Sequence, residues 1–181
     1  GDDHVLAECQ LTHVGRRTVG DDLTLRDRVA HLDKILAFWP YMAVVDAFQH
    51  WIYTSGDAAM NTGNLDAKWS ELWDRFMPED WSGLQAEKET GWHRKLHIHR
   101  VPFYYIEYGL AELGAVQVWA NAIKDQSKAV ADYRAGLALG GTASLPVLFG
   151  TAGAKFAFDA DTLGAAVELL EGTINELEEK V

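Results

Sequence analysis

The chain has 181 residues, 48% of them hydrophobic, with sixteen lysines and arginines against twenty-seven aspartates and glutamates. That content suffices to bury a sizeable core without disulfide or metal staples, and one helical domain over residues 1–181 is the expectation. A formal charge of −11 argues against nucleic acid or an anionic membrane surface as partner, because phosphate binding needs an excess of cations.

Leu25, Val29, Leu32 and Leu36 recur at helical spacing and predict a helix over Thr24–Phe38, which Pro40 ends or kinks. A second, strongly apolar helix is expected from Tyr41 to Tyr53, closed by the Gly56–Gly63 loop. Asn64 or Thr62 is the expected cap of the next helix. Its buried side is Trp69, Leu72, Trp73 and Phe76, and Pro78 stops it. Glu79–Gly91 reads as polar and irregular, with room for a helix at Leu84–Lys95.

The long central helix is predicted to begin with Pro102 at its first position, where the missing N–H costs nothing. Phe103, Ile106, Leu110, Leu113 and Val116 then form its buried stripe, and His97 stands in the entering loop. Asp125–Leu139 repeats the amphipathic pattern. Ala143–Gly153 is a short helix or turn begun by Ser144 and Pro146, and Asp159, Asp161 or Thr162 starts the terminal helix. Its Glu168, Glu171, Glu176, Glu178 and Glu179 flank Val167, Leu170, Ile174 and Leu177, which reads as a solvated face. No strand alternation, internal repeat or low-complexity tract emerges, so the fold class is all-α.

Neither a membrane-length apolar run nor a signal-peptide pattern is visible, so the cytoplasm is the expected location. The lone Cys9 fits a reducing compartment and reads as an inert thiol. The glycine-rich stretch Gly136–Gly153 lacks the Gly-Lys-Ser/Thr ending of a phosphate loop and reads as a helix–helix connection. His50 is expected to fill a buried hydrogen-bonding position.

Candidate chemistry concentrates in Leu96–Trp119, LHIHRVPFYYIEYGLAELGAVQVW, which places a histidine and three tyrosines within a few turns of one another. Tyr104 and Tyr105 lie four and three residues before Tyr108, so each pair meets on neighbouring helix faces, where two hydroxyls can serve one ligand. His93 and His97 stand four apart, and His97-Ile98-His99 is an H-x-H pair. Three imidazoles suffice for a zinc site, which makes an independent metal protein one alternative.

The segment resembles the C-terminal part of the oligoendopeptidase F family of zinc metallopeptidases, where a histidine shortly before P-F-Y-Y-I-E/D-Y lines the active site. The resemblance extends to PYMAVVDAFQHWIY at Pro40–Tyr53, to Trp69–Trp73–Phe76, to ALGGTASLPVLFGTAG at Ala138–Gly153 and to the acidic terminal helix. It covers most of residues 25–181; residues 1–24 match poorly. It implies a multi-helix domain like the catalytic-cleft half of an oligoendopeptidase, with short peptides as substrate. It also implies His97, Tyr105 and Tyr108 as catalytic hydrogen-bond donors to a developing oxyanion, neutral phenols titrating near about pH 10. Tyr104 and the Gly140–Gly141 backbone are then substrate-binding.

The family holds zinc through an H-E-x-x-H helix, and no His-Glu dipeptide occurs here. The chain therefore looks like roughly the C-terminal third of such an enzyme, with zinc in the parent family, no confident metal ligand of its own and no activity alone. A peptide-binding or oligomeric helical module without catalysis is the other alternative. Trp39, Phe48 and Trp51 are candidates for an exposed apolar patch, and from them a homo-oligomer is expected.

Overall fold

Eight α-helices account for the described residues, and no strand occurs among them: α1 Val19–Thr54, α2 Thr62–Phe76, α3 Gln85–Glu89, α4 Leu96–Arg100, α5 Tyr105–Lys124, α6 Gln126–Ala138, α7 Leu145–Thr151 and α8 Ala160–Glu178. Three single 3-10 turns, Gly56–Met60, Gly91–Arg94 and Gly140–Thr142, join neighbours. This computed structural model describes residues 19–180, with side chains from Thr24 onward. Cys9 lies outside the described residues. None of the described helices is long and apolar enough to cross a membrane.

The chain divides into two compact units. One is Ile35–Gly109, and the other comprises the described residues before Ile35 and after Gly109. In the first, α1 supplies Val44, Val45 and Phe48, all fully buried, against Trp69 and Leu72 of α2, Ile98 of α4 and Tyr105 of α5. Phe48 meets the Trp69 ring edge-on at 5.2 Å, a favoured aromatic geometry. Trp39 and Phe48 are thus buried and Trp51 is partly buried against the cluster that contains Phe48, so the exposed patch expected from these three does not form.

Two predicted boundaries in this unit change. Residues 24–53 form one helix rather than two, because α1 continues through Pro40. The ring removes one hydrogen bond to the preceding turn, a cost of about 3 kcal/mol that burial of Trp39, Val44 and Val45 on either side offsets. The cap of α2 is neither Asn64 nor Thr62 but Asn61, whose Oδ1 accepts from the Asn64 backbone N–H at 3.2 Å. The Asn64 side chain instead donates to the Ala58 carbonyl.

In the second unit, Leu113 and Val116 of α5, Ala129 of α6 and Leu170 and Ile174 of α8 are buried. Gly136 of α6 permits close approach of α7, since a Cβ there would stand 3.0 Å from that of Ala152. Asn121 donates to the Gly153 carbonyl at 2.7 Å, and the Gln117 amide pairs with both backbone groups of Lys155, so α5 fixes the turn before α8. Of the three starts offered for α8, Asp159 is the cap, accepting from the Thr162 backbone N–H, and the terminal glutamates are exposed.

Candidate peptide-binding site

The helix expected to start at Pro102 starts at Tyr105, and His97 lies in α4 rather than in a loop. Residues 101–104 form the turn between them, and Phe103 adopts φ 60°, a left-handed conformation disfavoured for a bulky side chain. The Phe103 ring leaves the predicted buried stripe and packs 4.9 Å from the His50 ring and 5.1 Å from the Tyr53 ring. His50 is correspondingly exposed, not buried, with its Nε2 3.5 Å from Asp46 Oδ2.

That turn separates the tyrosines. Tyr104 and Tyr108 are 44% and 40% exposed, whereas Tyr105 is 6% exposed within the core. Their rings meet in both predicted pairs, 5.5 Å for Tyr104–Tyr108 and 5.3 Å for Tyr105–Tyr108. His97 stands over all three, with ring centroids 5.1 to 6.3 Å away, and its Nε2 is 3.3 Å from the Tyr108 hydroxyl. The structure therefore gathers His97, Tyr104, Tyr105 and Tyr108 into one cluster whose exposed members are Tyr104, Tyr108 and the edge of His97.

Tyr105 has a different environment. Its ring lies 5.9 Å from both Phe38 and Tyr41, and its hydroxyl accepts a 2.7 Å hydrogen bond from Lys95 Nζ. Burial pushes its phenol up to about 12, assisted by the neighbouring Tyr41 and Tyr108 phenols. Lys95 was not singled out from sequence. A lysine two residues before a histidine carries no periodic signal, and only the packed α1 reveals that its ammonium also lies 4.7 Å from the centre of Tyr41.

The three histidines do not assemble a metal centre. His93 Nε2 pairs with Asp66 Oδ1 at 3.4 Å, and the same oxygen accepts from the Trp92 indole at 2.8 Å. His99 rests 5.7 Å from the Trp92 ring, and His97 faces the tyrosines. Among the described residues no three His, Cys, Asp or Glu side chains gather to hold an ion. The short helix α4 points neighbouring imidazoles in different directions, which the H-x-H spacing alone did not reveal.

Gly140 and Gly141 belong to the other unit, in the exposed 3-10 turn between α6 and α7. Gly140 has φ 53°, and a Cβ at either residue would meet nothing within 4 Å.

A sequence profile of Peptidase family M3 matches residues 26–167. An X-ray structure described as a candidate oligoendopeptidase F superposes with a TM-score of 0.76 and 33% identity over 86% of this chain. The chain spans 27% of the length of that structure. No curated protein matches it.

Proposed function

Because the chain belongs to peptidase family M3, we propose that residues 96–108 form part of the peptide-binding face of an oligoendopeptidase-type hydrolase, in which Tyr108, oriented by His97, donates a hydrogen bond to a backbone carbonyl of a short peptide. The observation that carries this reading is the contact of His97 Nε2 with the Tyr108 hydroxyl at 3.3 Å at the exposed edge of the cluster.

The pair works through its protons. When Nε2 carries one, it donates to the Tyr108 oxygen and leaves the phenolic O–H to point at a ligand carbonyl. Packing against Tyr104 and Tyr105 holds both rings before a ligand arrives, so little rotamer entropy is lost on binding. Tyr104 offers a third, exposed hydroxyl. Tyr105, the donor that sequence favours, takes the supporting place in this reading, because its hydroxyl already accepts from Lys95 and its ring is core.

The family resemblance brings zinc with it, and the described residues do not supply a ligand set for it. The reading assigns this chain no metal-dependent step: it binds peptide and does not hydrolyse it alone. Titration calorimetry with a blocked pentapeptide tests the pair. His97→Ala and Tyr108→Phe should each weaken binding by roughly five- to tenfold, the worth of one hydrogen bond. Unchanged affinity in both would overturn the assignment.

A further inference from the structure

The strand of sequence His93–Arg100, HRKLHIHR, is the most cationic stretch of a chain with net charge −11. Elsewhere in the same unit Lys68 pairs with Glu71 and Lys88 with Asp74. Among the described residues no carboxylate forms an ion pair with Arg94 or Lys95, although twenty-seven acids are present in the chain.

Two further facts give that imbalance a location. Lys95 is half-buried, and its Nζ is held 3.9 Å from the Tyr105 ring centre, 4.7 Å from that of Tyr41 and 2.7 Å from the Tyr105 hydroxyl. An ammonium has three N–H donors, and Tyr105 accepts one of them. Arg94 precedes it at the end of the Gly91–Arg94 turn, exposed and close enough that its charge acts on both Lys95 and Tyr41. Burial and that neighbouring charge both disfavour the Lys95 ammonium, a repulsion an anion would relieve.

We propose that Arg94 and Lys95 form a carboxylate-binding subsite beside the His97–Tyr108 pair and take the carboxylate of a bound peptide. Tyr105 is the shared wall: Lys95 bonds its hydroxyl, while His97 and Tyr108 pack on its ring at 5.1 and 5.3 Å. A guanidinium offers a forked donor pair and the fixed ammonium a point charge, and together they suit a carboxylate anchored at one end of a peptide whose carbonyl meets Tyr108. The inference rests on that peptide-binding reading and adds the sign and chemistry of the group recognised.

The test compares three blocked pentapeptides of otherwise identical sequence on the full chain: one with a free C-terminal carboxylate, its C-terminal amide, and the amide carrying a glutamate in the penultimate place. The free acid, or the glutamate peptide if the anchor is a side chain, should bind about tenfold tighter than the plain amide at low ionic strength, with the preference shrinking as salt rises. Arg94→Gln, at an exposed position, and Lys95→Met should each reduce that preference toward unity. Equal affinity for all three peptides, or a preference intact in both variants, would overturn the subsite while leaving the donor reading in place. If no peptide binds, N-acetylglycine titrated against the Lys95 ε-methylene resonance decides separately: a saturable shift lost in Arg94→Gln supports the subsite, and no shift overturns it.

Discussion

The ammonium of Lys95 donates a 2.7 Å hydrogen bond to the Tyr105 hydroxyl and lies 3.9 Å from the centre of the same ring. Tyr105 is buried in the core, while Tyr104 and Tyr108, one residue before and three after, stay at the surface.

One consequence is alkaline. The Tyr105 phenol is raised to about 12, chiefly by burial, against an ordinary value of 10.0. Between about pH 10 and 12 the unfolded chain loses this proton while the folded chain keeps it, so the contribution of Tyr105 to stability is complete below pH 10 and declines through that window. Lys95, lowered by burial and by Arg94, acts in the opposite sense, so the two must be separated by substitution. Tyrosinate absorbance should show a late component near pH 12 that Tyr105→Phe removes. Titration of every tyrosine below pH 11 would contradict the assignment.

Phe103 tests the strained turn. At φ 60° a glycine is relaxed and an alanine is not, so Phe103→Gly should be the more stable of the two variants by about 1 kcal/mol. This inverts the usual order. Urea unfolding of the pair measures it, and an alanine variant equal to or more stable than glycine would contradict the left-handed conformation.

Gly91 tests the packing beneath the site. A Cβ there would stand 2.9 Å from Nε1 of Trp69, a ring 1% exposed with no room to retreat. Gly91→Ala should cost roughly 1–3 kcal/mol, whereas Gly141→Ala, with nothing within 4 Å, should be close to neutral. Thermal melts of the two variants supply the comparison.

Lys88 is 6% exposed and holds both carboxylate oxygens of Asp74, at 2.7 and 2.9 Å, which ties α3 to α2. Asp74→Asn leaves that ammonium without its counter-charge. Because Asp74 itself is well exposed, the loss should be moderate, roughly 1–2 kcal/mol. Lys88→Met, which removes the buried charge altogether, should cost less than Asp74→Asn. The reverse order would show that the pair, not the unmet charge, carries the energy.

Much of this architecture was legible where one helix meets the core through one face. The stretch Asp125–Leu139 and the Trp69–Leu72–Phe76 side emerged from spacing, and Asp159 was one of three residues offered as the start of the terminal helix. Pro40 misled, because local propensity places a break where tertiary burial of Trp39, Val44 and Val45 sustains the helix. The motif from His97 to Tyr108 named residues that the fold brings together. What it left unreadable was the turn at 101–104. A bulky residue at positive φ has no sequence signature, yet that conformation decides which of two adjacent tyrosines faces solvent. The partners of His93 were equally hidden, since Asp66 lies on another helix, far along the chain.

The measurement that bears most directly on the central claim is a paired assay of binding and cleavage on one quenched-fluorescent pentapeptide, with added zinc and with chelator. The account predicts saturable binding, weakened by His97→Ala and Tyr108→Phe, and an intact peptide under both conditions. Zinc-dependent turnover by the wild-type chain, abolished by His97→Ala, would contradict it.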